Sequence, residues 1–360
     1  MRWRRSALRR CLPPQRRCSP ALGPTVSPSV PPACAPQIWR SSRSHPELVK
    51  ATPPEEPCVQ VVHGTHHLEA PPGPVLTIGN LDGVHRGHQA LIQQTLALAD
   101  ALGTSSAALT FDPTPGEVLQ PRRAPPRIQT LEQRLAHLEA TGLQLVIVEP
   151  FTSALGALSP EAFARRFLAS AIGTRALVLG HDFRFGRDRA GDAALLRRAL
   201  GVRVEEVEAR LHGGAPISSS RIRAALAEGH VSEATALLGR PHEISGPVVP
   251  GEQRGRTLGF PTANLSPLSG LMPRRGVYAA RATVDDTIHP AVVNLGRRPT
   301  FDGQGTTLEV HILGFDGDLY GQQITVAFVE RIRDERRFEG PGALREALAH
   351  DVAVARACLS

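Results

Sequence analysis

The sequence is poor in aromatics, in usefully spaced cysteines and, at one end, in acid. Only 4% of its 360 residues are aromatic, which argues against a stacking surface for single-stranded nucleic acid. No uninterrupted apolar run reaches bilayer length, so no membrane span is expected. Four of the five cysteines, Cys11, Cys18, Cys34 and Cys58, precede the first convincing strand, and Cys358 lies beside the C-terminus. None falls at CxxC spacing, so neither a zinc site nor a disulfide framework is indicated. A reducing, cytoplasmic setting is the default expectation.

No acid occurs before Glu47, whereas residues 1–50 hold ten Lys and Arg and contribute +9. The remaining 310 residues sum to −2, so the net charge of +7 belongs to the N-terminal stretch and gives no support to a nucleic-acid-binding core. No apolar segment follows the leading arginines, which argues against a secretory signal. Nine prolines in fifty residues fit an amphipathic transit helix badly. Residues 1–70 are expected to be a disordered Arg/Pro-rich extension, a leader or upstream sequence ahead of the true start.

From Val75 strand and helix patterns alternate. "PVLTIG", "SSAALTF", "LQLVIVEP" and "RALVLG" are short apolar strand candidates. Between them lie helical patterns with start and stop signals. Gly103 closes one; Thr130 and Gln133 form a capping-box pair with Gly142 at the exit; Ser159–Pro160 opens another and Asp192 caps a fourth. This alternation predicts an α/β fold, a doubly wound, Rossmann-like parallel sheet over residues 71–240.

The stretch "TIGNLDGVHRGHQ" (Thr77–Gln89) falls where the first of these strands turns into a helix. In such sheets ligands collect beyond the strands' carboxyl ends. Gly79 and Asn80 turn the chain, and Gly83 allows a close backbone approach. His85 and His88 stand at i and i+3, on one face at the helix entry. Unpaired N–H groups and the positive dipole end suit a polyanion there. Two surface histidines in a glycine-rich loop would explain the bare HxGH, but the strand–loop–helix context favours function.

After Pro241 the pattern becomes short β-like runs broken by Gly and Pro, with helical periodicity returning only at "GPGALREALAHDVAVARA". Residues 241–360 are expected to form a small antiparallel barrel with a terminal helix.

"GNLDGVHRGHQ" resembles the nucleotidyltransferase signature of the bacterial bifunctional riboflavin kinase/FMN adenylyltransferase (FAD synthetase) family. "LTFDPTPGEVL", "VLGHDFRFGRDRAGDAALL" and "ISSSRIRAALAEGHVSEATALLGRP" resemble its further segments in order, and "GRTLGFPTANL", "NLGRRPTF", "LEVHILGFDGDLYG" and "IRDERRF" its kinase half. The resemblance implies phosphorylation of riboflavin to FMN and adenylylation of FMN to FAD, each from Mg-ATP. It implies that His85 and His88 neutralise the transferring phosphate, and that Gly79, Asn80, Asp82, Gly83, Ser218, Ser219, Ser220 and Arg221 bind ATP, Arg221 acting also in catalysis. Asp112, Asp182 and Phe183 would face the flavin. In the kinase half, Gly251, Gly255, Arg256, Gly259, Thr262 and Asn264 would bind ATP, Thr262 and Asn264 would hold Mg²⁺, and Glu309 would accept the hydroxyl proton. Small-molecule partners alone are implied, without nucleic acid or membrane, and a homo-oligomer stays open. The chain departs from the family at Leu81 (usually Phe), Thr114 (usually His) and His242 (more often aromatic). A kinase with a decayed adenylyltransferase, or a flavin carrier or regulator on the same fold, are the alternatives.

Overall fold

A computed structural model describes residues 59–68, 73–251, 255, 258–266, 268–300 and 303–360, without the side chains of 297–300 and 303–305. Arg256 and the extension up to residue 58 lie outside the described residues.

The predicted alternation is present. Strands β1 (Gln60–His63), β2 (Val75–Ile78), β3 (Ser106–Phe111), β4 (Leu145–Glu149), β5 (Ala176–Gly180) and β6 (Arg203–Val207) form one sheet in the order β1-β4-β3-β2-β5-β6. All its pairings are parallel. Every residue of β2, β3 and β4 is buried, as expected for strands covered on both faces. The chain steps from β2 to β3 on one side and reaches β5 on the other, so β2 borders the topological switch point.

The sheet begins earlier than expected. β1 lies inside the stretch assigned to the extension and pairs with β4 from Gln60↔Leu145 to His63↔Val148. Of its four residues only Val62 is buried, too little for a sequence pattern to show. The Thr65 N–H that follows donates to the buried Glu149 carboxylate at 2.6 Å, which ties the segment down.

Helices α1 (Arg86–Leu102), α2 (Pro115–Leu119), α3 (Leu131–Glu139), α4 (Ser153–Gly156), α5 (Pro160–Phe163) and α6 (Ala193–Leu200) accompany this sheet. The expected caps are seen: Thr130 with Gln133 on α3, Ser159 on α5, Asp192 on α6, and a left-handed Gly103 after α1. A small hairpin, β7 (Leu211–His212) and β8 (Ala215–Pro216), precedes α7 (Ser219–Glu228) and α8 (Val231–Leu238).

The second half is a closed antiparallel barrel, β10-β13-β12-β11-β14-β9. Its strands are β9 (His242–Val249), β10 (Ala263–Leu265), β11 (Gly276–Val284), β12 (Thr287–Thr300), β13 (Gly303–Ile312) and β14 (Gln323–Arg333), and α9 (Pro341–Leu359) ends the chain. Helices α7 and α8, grouped by sequence with the sheet, instead bury Ile222, Leu226, Val231 and Leu237 with barrel residues Ile244, Tyr278 and Phe328. An amphipathic helix announces an apolar face but not the surface that will cover it. His242, at the start of β9, is buried; its ring lies over Phe328, and Nε2 meets the Leu271 carbonyl at 2.6 Å. It therefore takes the place of the usual aromatic as a packed ring. Among the described residues no helix is long and apolar enough to cross a membrane.

Candidate active sites

The loop between β2 and α1 is held in an unusual conformation. Leu81 (φ 50°), Gly83 (φ 88°) and Val84 (φ 39°) are all left-handed. For the branched Val84 this is a genuine outlier, of the kind that persists only where surroundings enforce it. Leu81 and Val84 are both 1% exposed, packed with Ile92, Val146 and Val148. Leu81 is thus a packing exchange for the family's Phe. A side chain at Gly83 would meet Ile128 and Leu238 at 3.2 and 3.3 Å as well as straining the backbone.

Asp82, expected on ATP, is an anchor here. Its buried carboxylate accepts the Ile128 N–H at 3.1 Å and the Arg223 guanidinium at 2.5 Å. Its backbone carbonyl accepts the Ser219 hydroxyl at 2.8 Å. Asp82 is therefore where the segments "GNLDGVHRGHQ" and "ISSSRIR" of the sequence meet. The Gly79 N–H donates to the Leu109 carbonyl. The Asn80 carbonyl accepts from Thr110 and from Arg134, whose other Nη donates to the Phe111 carbonyl. Arg134 is 3% exposed and so stitches the loops after β2 and β3 together. Sequence reasoning passed over it as one polar position in a helix.

His85 is the N-cap of α1, and its Nδ1 accepts the His88 N–H at 3.3 Å. That bond places the imidazole proton on Nε2. The two rings stack, 3.6 Å between centroids and 16° between planes. Burial lowers the His85 pKa to about 4, and burial followed by the His85 charge lowers that of His88 well below its ordinary value. Both are neutral at pH 7. The buried His88 Nδ1 has no hydrogen-bond partner among the described residues. The pair thus offers imidazole groups at a positive helix end, ready for phosphate charge.

Ser218 caps α7, and its Oγ accepts the Arg221 N–H at 3.3 Å. Ser220 is exposed. The Arg221 guanidinium is engaged by the His212 and Ala215 carbonyls and, at 2.5 Å, by Glu233. It serves the β7–β8 hairpin in this structure. Asp112 pairs with Arg127 at 2.6 Å and lies 3.6 Å from Arg134. With Arg127, Gln129 and Gly270 it lines an open groove of about 420 Å³. Asp182 is exposed just beyond β5, while the half-buried Phe183 packs on the sheet's core and stacks with Phe185. Thr114 caps α2 through a capping box with Glu117, which Arg127 grips through both carboxylate oxygens. The Arg127 guanidinium holds the Glu117 pKa at about 2. Thr114 is thus a helix cap in place of a histidine.

The second site lies on the barrel. Asn264 of β10 and Asn294 of β12 both face Glu309 across β13, so the three residues form one row. Thr262, just ahead of β10, lines the same cavity as Asn264. The neighbours Leu265, Leu295, Leu308 and Val310 point into the barrel core. The polar row opens into a cavity of about 320 Å³, closed opposite by Leu344, Leu348 and Val352 of α9. Arg333 fastens α9 with a two-pronged ion pair, 2.8 and 2.7 Å, to the fully buried Asp351.

Gly251 and Gly255 approach this row closely. A Cβ at Gly251 would sit 2.1 Å from the Asn264 amide, and one at Gly255 would sit 2.3 Å from the Phe260 carbonyl and 3.4 Å from Thr262 Oγ1. Gly259 is left-handed (φ 85°) beside them. The donor set of Thr262 and Asn264, with the Glu309 carboxylate alongside, fits a Mg²⁺ ion that keeps waters and phosphate oxygens as its other ligands.

Two family models match the chain. The one described as FAD synthetase covers residues 67–221, and the one described as riboflavin kinase covers residues 238–359. A Pseudomonas fluorescens protein named bifunctional riboflavin kinase/FMN adenylyltransferase is 40% identical over 83% of this chain and 97% of its own length. A protein of the same name from Escherichia coli K12 is 38% identical over the same shares. A solved structure described as a macrolide-efflux protein from Streptococcus pneumoniae is 31% identical, with a TM-score of 0.78, over 83% of this chain and 99% of that one. With both halves matched in order and relatives of that name aligned over most of the chain, this protein belongs to the bifunctional riboflavin kinase/FMN adenylyltransferase family.

Proposed function

We infer that the barrel phosphorylates riboflavin to FMN and that the α/β part converts FMN to FAD, each step using ATP. The observation that carries this reading is the occurrence, in one chain, of a stacked neutral histidine pair at a helix N-terminus and a Glu–Asn row over a cavity closed by α9.

The two reactions ask different things of the protein. In the first, a ribityl hydroxyl of riboflavin attacks the γ-phosphorus of ATP. An O–P bond forms, the bond to the β-phosphate breaks, ADP leaves, and the hydroxyl proton needs an acceptor. Glu309 is placed to take it, in the cavity that would hold the flavin. Thr262 and Asn264 would hold Mg²⁺, which supplies charge neutralisation on the phosphates when bound.

In the second, an oxygen of the FMN phosphate attacks the α-phosphorus of ATP, and pyrophosphate leaves. A phosphate monoester has its second pKa near 6, so this nucleophile needs no base. Alignment and stabilisation of the developing charge remain: the neutral imidazoles of His85 and His88 would donate hydrogen bonds, and the α1 N-terminus would supply the positive field. Gly79, Asn80 and Ser220 would complete the ATP contacts, with Asp112, Asp182 and Phe183 on the flavin side. We place the protein in the cytoplasm, the compartment expected for a relative of these bacterial flavin-metabolising enzymes.

Incubation with riboflavin and Mg-ATP, followed by chromatographic separation of the flavins, tests the reading. FMN followed by FAD is expected. FMN alone would leave only the kinase; unchanged riboflavin would leave a carrier or regulator.

A further inference from the structure

Between α8 and β9 stands Arg240, near the end of the segment "ISSSRIRAALAEGHVSEATALLGRP" but assigned no role by the resemblance. Its Nη2 donates to the Gly83 carbonyl at 2.7 Å and to Gln129 Oε1 at 3.0 Å. Nη1 donates to the Val84 carbonyl at 3.3 Å, and Nε to His137 Nε2 at 3.0 Å. Burial lowers the Arg240 pKa only to about 10, so the group stays charged; His137, lowered to about 4 by burial and by Arg240, stays neutral and accepts. The guanidinium fork is therefore spread over four acceptors, an arrangement a lysine cannot copy. The Gln89 amide assists, donating to the Val84 and Leu238 carbonyls at 2.8 and 2.9 Å.

The two carbonyls that Arg240 holds belong to Gly83 and Val84, both left-handed and immediately before His85. A trans peptide points its N–H opposite to its carbonyl. Fixing the Val84 carbonyl on Arg240 therefore turns the His85 N–H the other way and sets the angle at which the chain enters α1. The residue that does this sits two positions before His242, where barrel strand β9 starts.

We propose that Arg240 is a positioning residue for adenylyl transfer: it holds the left-handed loop that aims His85 and His88, and so ties the FAD-forming site to the first strand of the kinase barrel. The proposal rests on assigning the His85–His88 loop to adenylyl transfer.

The test compares full-length Arg240→Ala, Arg240→Lys and His85→Ala with the parent, measuring FAD formation from supplied FMN and riboflavin phosphorylation separately. A small misplacement of catalytic groups costs about a hundredfold. For Arg240→Ala the expected result is a kcat for FAD formation lowered by about ten- to a hundredfold, KM values for ATP and FMN within about threefold, and riboflavin phosphorylation within about twofold. Added guanidinium ion should restore part of the lost rate, and the fall in kcat with KM and the kinase rate held separates positioning from a general loss of structure. Parent-like kcat, or an equal fall in both activities without rescue, would overturn the proposal. If Arg240→Ala does not fold, Arg240→Lys decides: a FAD-forming kcat below about half the parent's supports it, and the parent rate defeats it. Should His85→Ala keep the parent rate, the site assignment falls and this inference with it; should only the Arg240 variants keep it, this inference alone falls.

Discussion

The His85 ring accepts the backbone N–H of His88 through Nδ1 and lies stacked on the His88 ring, 3.6 Å away. Each residue thereby constrains the other's orientation at the entry of α1. Replacing both with alanine should remove FAD formation by about 3–4 kcal/mol of transition-state stabilisation, the worth of an important oxyanion donor. FMN should then accumulate from riboflavin. Steady-state rates on supplied FMN measure the effect, and a double variant that still made FAD at the parent rate would remove the histidines from the mechanism.

Glu309→Gln keeps the shape of the Asn264–Glu309–Asn294 row and removes the proton acceptor. Riboflavin phosphorylation should drop by about two to four orders of magnitude. FAD formation from FMN should survive, because that nucleophile is already ionised. Mixing this variant with the double histidine variant should restore FAD synthesis from riboflavin, since FMN can diffuse between them. Full kinase activity in Glu309→Gln would refute the base assignment.

Gly255→Ala would place a Cβ 2.3 Å from the Phe260 carbonyl, a backbone atom that cannot swing aside. The loop leading to Thr262 and to Asn264 of β10 must then shift. The expected outcome is a kinase rate at least about tenfold lower with FAD formation from FMN unchanged, by analogy with other small displacements of binding groups. Separate assays of the two reactions check it; equal losses would point to misfolding instead.

His242 is 3% exposed, and burial lowers its pKa from 6.5 to about 4. Above pH 6.5 neither the folded nor the unfolded chain binds this proton, and the residue imposes no penalty. As pH falls toward 4, the unfolded chain takes up a proton that the folded chain refuses, so stability declines, by about 2 kcal/mol at pH 5. His242→Phe removes this term but leaves the Leu271 carbonyl without its donor, at about 1 kcal/mol. Thermal melts should therefore show a variant weaker at pH 7.5 but with a shallower loss between pH 7.5 and pH 5. Parallel curves would rule the idea out.

Deleting residues 1–58 should leave both activities intact, since that stretch carries the basic, proline-rich composition and no motif. Deleting 1–70 should not be neutral. It strips β1 from β4 and leaves the Glu149 carboxylate without the Thr65 N–H. A buried carboxylate losing a charge-assisted hydrogen bond costs about 1.5–3 kcal/mol. Melting temperatures of the two truncated forms distinguish these outcomes.

What neighbours in the chain decide could be read without a structure. Runs such as "LVIV" in β4 are apolar throughout because both faces of the sheet are covered, and Thr130, Ser159 and Asp192 cap helices through groups three residues away. The irregular β runs after Pro241 close into the expected barrel, and Asn264 and Glu309, named from separate local motifs, become cross-strand partners in it. Other features depend on partners far along the chain. β1 shows one buried residue and becomes a strand only because β4 offers an edge. The apolar faces of α7 and α8 fit a sheet or a barrel equally well until the barrel covers them. Asp82 was expected on ATP, yet Arg223 and Ile128 claim its carboxylate; Arg134 and Arg240 drew no assignment from the sequence, yet each is held by carbonyls of the loops beside the histidines. A buried charge is stable only when paired, and its partners are supplied by folding rather than by sequence spacing.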